Sequence, residues 1–246
     1  MRRLLNTLYT DFMVQARNRL YAIGLTVAVL VGLAGTLVGS SEDFLHSAPL
    51  LLLFVVGGST LLYVGGMILF EKNEGTLDAV IVSPLRLGEY LWSKVISLSV
   101  LASVEGTVIV ATGFLLRLTG VLGAEVQSLP GVRYGVFFAG LFTVGVLYTL
   151  IGIITVVRFA RVTDFLVPVL AIALALQLPA VHVSGLVEAR LLYVIPTMAP
   201  TLLMVGAVEG LSAWEWVYAG GYTVAVAAGL YAWTRAAFHT HIVRGG

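Results

Sequence analysis

Long apolar runs alternate with short polar stretches along the whole chain. Six runs approach the roughly 20 residues that an α-helix needs to cross about 30 Å of hydrocarbon. They are Leu20–Val38, Ala48–Phe70, Val95–Leu116, Tyr134–Val157, Phe165–Val183 and Trp214–Trp233. A further run, Leu191–Val208, carries Pro196 and Pro200, each of which removes a helix hydrogen bond. Only Glu209–Ala213 separates it from the last run, a tight loop for two full crossings. Residues 184–213 therefore read as a re-entrant or broken helical segment before the last span, with a seventh crossing as the alternative. Ahead of the first run, Leu5, Leu8, Tyr9, Phe12, Ala16 and Leu20 recur at helical spacing, while Arg2, Arg3, Asn6, Thr10 and Arg17 lie largely elsewhere. That pattern predicts an N-terminal amphipathic interfacial helix over 1–19. It serves either as an anchor that orients the first span or as a part that also touches a partner. The expected fold is an all-α membrane protein, one transmembrane domain over 1–246 with six transmembrane helices.

Composition agrees with a lipid solvent. Apolar residues make up 59% of the 246 and charged ones 11%, against roughly 45–50% and 25% in soluble domains. Net charge is +1, so no overall field favours nucleic acid. The absence of cysteine excludes disulfides and thiol chemistry. The four histidines sit at span ends or in tails, and no pattern of metal ligands or catalytic side chains emerges.

Charge placement sets the orientation. With the N-terminus inside, eleven of the Lys and Arg residues fall in cytoplasmic segments, and only Arg117, Arg133 and Arg190 fall outside. Trp92 and Trp233 then lie at the inner boundary, and Trp214 and Trp216 at the outer one, as an aromatic belt requires. The chain is expected in a cell membrane with both termini cytoplasmic. About 19 residues, Asp11 among them, precede the first run, which argues for a retained span rather than a cleaved signal peptide.

The longest cytoplasmic loop, 71–94, is punctuated. Gly75 breaks the helix leaving the second span, Thr76 is placed to cap a short helix, and Leu77, Val80 and Ile81 form an apolar stripe at i, i+3, i+4. Ser83-Pro84 stops that helix, and a new one starts near Gly88-Glu89. Spacing alone fits an ordinary structured loop, or one that passes motion from a soluble partner to two spans.

These residues resemble the cytoplasmic loop of the type-2 ATP-binding cassette (ABC) export permeases. Glu71, Gly75-Thr76-Leu77, Ser83-Pro84 and Lys94 stand in the order typical of that family, with Ser93 where many members have Gly. The motif covers about a tenth of the chain, and the resemblance in layout covers all of it. It implies that Glu71, Gly75, Thr76, Leu77, Val80, Ile81, Ser83, Pro84 and Lys94 couple this chain to a separate ATPase subunit, which binds ATP and magnesium. A second permease subunit, identical or related, is also implied. The chain itself has no G-x-x-x-x-G-K-[ST] segment, so ATP hydrolysis is expected in the partner. The implied function is export of a small amphipathic or hydrophobic molecule, drug- or lipid-like. A haem-exporter-type membrane subunit is a variant within the same class.

Inside the spans, Gly24, Ala28 and Gly32 recur every four residues, a face that lets backbones approach closely in lipid. In the resembling family the first span lines the subunit interface, so this face is the candidate dimer contact. Glu105 falls near the middle of the third span, where a charge costs roughly 2.5–3.5 kcal/mol on insertion scales. Tyr63, Tyr148 and Gln177 lie at comparable depth and are its candidate partners, or fellow pathway and gating residues. Glu105 is either a substrate, proton or gating contact, or an interhelical hydrogen bond. An ion-coupled secondary transporter built on Glu105 is the competing function, although no internal repeat of the kind such folds show is evident.

Overall fold

The computed structural model describes residues 2–37, 41–77, 85–118, 131–187 and 189–243. Nine α-helices are found among them. They are α1 (Arg2–Arg17), α2 (Leu20–Gly35), α3 (Ser41–Asn73), α4 (Leu87–Leu118), α5 (Tyr134–Val156), α6 (Val162–Gln177), α7 (Pro179–Val183), α8 (Met198–Val208) and α9 (Ala213–Phe238). A 3₁₀ turn, Arg190–Val194, precedes α8, and a π-helical turn, His239–Val243, follows α9. The tip of the 71–94 loop, with Val80, Ile81, Ser83 and Pro84, lies outside the described residues.

Four stretches are long and apolar enough to cross a membrane: 43–73, 87–116, 134–156 and 162–183, the last joining α6 to α7. The chain is a multi-pass membrane protein. A fifth crossing arises if α1 and α2, bent by 63° at a short break, count as one broken span. Within the stretch expected as the first span, Leu20–Val38, α2 has 16 residues, a rise of about 24 Å. At the break Arg19 adopts φ 59°, a left-handed conformation that costs a non-glycine residue roughly 1–2 kcal/mol and forces the elbow. Helix α9 has the length for a crossing, 26 residues or about 39 Å, but its tyrosines, tryptophans and glycines dilute its apolar character.

Helix α5 is the centre of the bundle. It packs against α3, α4, α8 and α9, while α2 and α1 lie on α4, and α6 lies on α3. The 11-residue α8, about 16 Å long, is too short to cross; nearly all of it is buried, mainly against α5 and α9.

The orientation of α1 inverts the usual relation of amphipathic helix to core. Its buried residues are the polar Asp11 and Gln15, one turn apart, while Leu5, Tyr9 and Met13 are exposed. Of the apolar stripe read from the sequence, Leu5, Tyr9 and Ala16 are exposed, while Leu8, Phe12 and Leu20 are half-buried, so one edge of the stripe faces away from the protein. In lipid that side has the acyl boundary for a partner.

The small-residue face of α2 is also accounted for. Gly24, Ala28 and Gly32 are buried against α4 within the same chain. A Cβ on Gly32 would lie 2.7 Å from Thr112 Cβ and 2.8 Å from the Ile109 carbonyl oxygen. This corrects the assignment of Gly24, Ala28 and Gly32 to a subunit interface, because α4 already fills the groove they leave. The substitution Gly32→Leu is accordingly expected to destabilise the single chain by about 1–3 kcal/mol through overpacking. Thermal unfolding in detergent should show a Tm several degrees lower with the oligomeric state unchanged. An unchanged Tm with a smaller oligomer would restore the interface assignment.

Candidate functional site

Two polar sites stand out in this apolar bundle. The first joins α1, the end of α3 and the start of α4, at the end predicted to be cytoplasmic. The Lys94 side chain is 1% exposed, yet it carries an ammonium that requires acceptors. Its Nζ donates to Asp11 Oδ1 at 2.5 Å and to Glu71 Oε1. The other oxygen of each acid is also engaged: Ser93 Oγ donates to Asp11 Oδ2 at 2.5 Å, and the Tyr90 hydroxyl donates to Glu71 Oε2 at 2.6 Å. One cation thus faces two carboxylates, and two hydroxyls take up the surplus acceptors. Deeper along the same face of α1, Gln15 Nε2 donates to Met67 Sδ on α3 at 3.6 Å.

Local sequence explains why these groups meet. Ser93 and Lys94 are adjacent on α4, and Tyr90 lies one turn before Lys94, so three donors share one helix end. Helix α3 stops just after Glu71, where Gly75 takes φ +70°, the left-handed geometry that glycine adopts without penalty. Thr76 turns its hydroxyl back on the outgoing helix, donating to the Glu71 carbonyl at 3.1 Å. Leu77 is 1% exposed and packs into the main core. Its place in the apolar stripe proposed for partner docking is therefore corrected: its side chain anchors the root of the loop and presents no free surface.

The second site lies midway along α4. Glu105 is fully buried and accepts from Ser59 Oγ at 2.8 Å, and Tyr63 also hydrogen-bonds its carboxyl group. Ser59 and Tyr63 are one turn apart on α3. Helix α2 closes the third side, where a Cβ on Gly24 would lie 2.9 Å from the Tyr63 hydroxyl and 3.6 Å from Glu105 Oε2. Glu105 Oε1 has no partner among the described residues, so the carboxyl group keeps one oxygen for a further donor.

Of the partners anticipated for Glu105, the structure brings Tyr63 to it and places the other two elsewhere. Tyr148 packs its ring on the backbone at Gly57, where a Cβ would meet Tyr148 Cζ at 2.5 Å, and its buried hydroxyl finds no partner among the described residues. Gln177 donates to the Phe54 carbonyl at 3.3 Å. Depth along a span does not fix the direction of a side chain around the helix. Sequence reasoning also missed Asp11, Ser93 and Ser59. Two of them left a periodic trace: Asp11 and Gln15 at i, i+4 in α1, and Ser59 and Tyr63 at i, i+4 in α3.

Neither site gathers a nucleophile, base and electrophile around a shared point, as catalysis requires. Both are internal ties between helices, which suits a protein whose work is movement. The comparisons with known proteins agree. A family model described as the fluoroquinolones export permease protein family matches residues 2–245. The chain belongs to this export permease family. Two relatives from Mycobacterium tuberculosis, of strains CDC 1551 / Oshkosh and ATCC 25618 / H37Rv, are each named fluoroquinolones export permease protein. Each is 37% identical over 185 residues, 74% of this chain and 72% of the relative. As a member of that family the chain is a membrane permease, and its role is transport rather than catalysis.

Removing the cation of the first site leaves the buried Asp11 and the half-buried Glu71 carboxylates facing each other. Lys94→Met is expected to cost this permease about 3–5 kcal/mol and to free α1 from α4. Because the chain has no native cysteine, a single cysteine at Gln15, which is fully buried, reports the release. It should react slowly with maleimide in the otherwise native protein and quickly beside Lys94→Met. Equal rates would show that α1 is held by something other than this cluster.

Proposed function

We propose that this chain is the transmembrane permease subunit of a type-2 ABC exporter. In this reading it crosses the membrane six times, with α2 and α9 as the first and last spans and both termini cytoplasmic. It pairs with a second permease subunit, and a separate ATPase subunit binds ATP and magnesium and supplies the energy. The substrate is a small amphipathic molecule of the fluoroquinolone type, moved out of the cytoplasm.

The observation that carries this reading is the buried cluster at the root of the 71–94 loop. Glu71 and Lys94 are the two ends of that loop, and they meet each other and Asp11 on α1. A push on the loop tip by a soluble partner then reaches α3, α4 and the interfacial helix together, because buried charges held this way resist separation. Gly75 and Thr76 shape the turn and Leu77 anchors it, which leaves Val80 and Ile81 as the residues proposed to meet the ATPase. The positive-inside distribution of Lys and Arg supports the orientation.

Gentle extraction of the tagged protein from its native membrane should bring an ATPase subunit with it. Val80→Asp should release that subunit while the permease stays folded. Release by Leu77→Asp, by contrast, should coincide with loss of thermal stability. Recovery of the permease alone from several detergents would overturn the proposal. Glu105→Gln retains hydrogen bonding and shape; with ATP as the energy source, efflux in this variant should keep the pH profile of the parent. A flattened or displaced profile would point instead to an ion-coupled transporter that uses Glu105.

A further inference from the structure

The end of the bundle opposite the Lys94 cluster carries a group of rings that no part of the coupling argument uses. Tyr193, from the 3₁₀ turn, lies at the centre. Its ring centroid is 5.1 Å from Tyr218, 5.6 Å from Trp214 and 5.3 Å from His182. These four side chains and Arg190 line a cavity of about 680 Å³, within the range of drug-sized ligand sites. A second cavity of about 540 Å³ shares His182 and Tyr193 with the first and is lined further along by Glu209 and Glu215. Sharing these two rings, the neighbouring cavities make up an aromatic chamber with the Arg190 guanidinium lining the first and the carboxylates lining the second.

An aromatic belt at the membrane boundary accounts for tryptophan and tyrosine at this depth, but not for this arrangement. Belt residues offer their hydroxyls to headgroups and water. Here the Tyr218 hydroxyl donates to the Tyr193 carbonyl and the Tyr222 hydroxyl to the Val194 carbonyl, each at 2.5 Å. Those bonds run from α9 to the 3₁₀ turn and its neighbourhood, and they fix the rings before any ligand arrives. With their hydroxyls used internally, the tyrosines offer mainly their faces. Pre-set rings lower the ordering cost of binding, and a flat π-system is the partner that their faces accept. Arg190 supplies the fork that matches a carboxylate. The acids across the chamber suit an ammonium with the oxygens they keep: Glu215 Oε2 accepts from the Ser212 N–H and hydroxyl at the start of α9, and Glu209 Oε1 lies 3.7 Å from His46 Nε2.

We propose that this chamber binds a planar aromatic zwitterion. Its ring system lies against Tyr193, Trp214 and Tyr218, its carboxylate meets Arg190, and its amine points toward Glu209 and Glu215. In the orientation predicted from charge placement the chamber opens on the outer side, so it holds cargo at the exit of the pathway. This deepens the export reading and rests on it for direction, though not for binding.

The test uses the full chain in lipid nanodiscs, without nucleotide, and radiolabelled norfloxacin, a planar aromatic zwitterion, as probe. Saturable binding is expected. Arg190→Gln should weaken it about tenfold, the loss of one charge-assisted pair, and Trp214→Leu should weaken it to a similar degree. A decarboxylated analogue should bind Arg190→Gln and the parent chain equally, while remaining sensitive to Trp214→Leu. Both substituted residues are exposed, so the variants retain the fold. Absence of saturable binding, or binding indifferent to both substitutions, overturns the site. ATP-driven uptake of norfloxacin into inverted vesicles is measured in parallel. Uptake without any Arg190 dependence leaves export standing and removes the chamber, whereas Arg190-dependent binding without uptake keeps the chamber and removes export.

Discussion

A lysine that is almost completely shielded from solvent organises one end of this permease. An ammonium in such a place is tolerated only with acceptors on all sides, and Lys94 has them from two other helices. The requirement works in both directions. Asp11 could not be buried, nor Glu71 half-buried, without a cation, and an acid at each position fixes where its helix meets Lys94. Serine and tyrosine hydroxyls on α4 complete the arrangement by donating to the outer carboxylate oxygens. Lipid gives helices little hydrophobic reason to associate with one another, so polar ties of this kind set the register that apolar packing leaves open.

The middle of the bundle relies on a different device. Glu105 joins α4 to α3 through neutral donors, and α2 is admitted only because Gly24 has no side chain to collide with Tyr63. The same lack of side chains lets α2 lie along α4 at Gly32. Close backbone approach and a buried hydrogen-bonded group thus occur together, one creating the space and the other using it.

Much of this architecture was legible in the sequence. The apolar runs at Ala48–Phe70, Val95–Leu116, Tyr134–Val157 and Phe165–Val183 correspond to helices in the structure, because a 20-residue hydrophobic stretch admits few other conformations in lipid. The punctuation at Gly75 was legible for a similar reason: one residue type fits a left-handed turn best. Direction around a helix was not legible. The glycine face of α2 fits a neighbouring subunit and a neighbouring span equally well on paper, and only the packed bundle shows that α4 occupies it. Asp11 was hidden because a lone acid in a basic amphipathic segment resembles ordinary solvated charge until its partners on distant helices are known. Leu77 was misplaced because an apolar stripe gives no sign of whether it faces the protein's own core or another chain.

The elbow at Arg19 acquires meaning from what holds its two arms. Helix α1 is tied to α4 through Asp11, and α2 is packed on α4 through Gly24 and Gly32. The three helices therefore form a closed triangle, with the elbow at one corner and α4 as the opposite side. A hinge free at one arm swings, but a triangulated frame does not shear. Helices α1, α2 and α4 make a truss, which favours tilting as a unit over bending at the elbow.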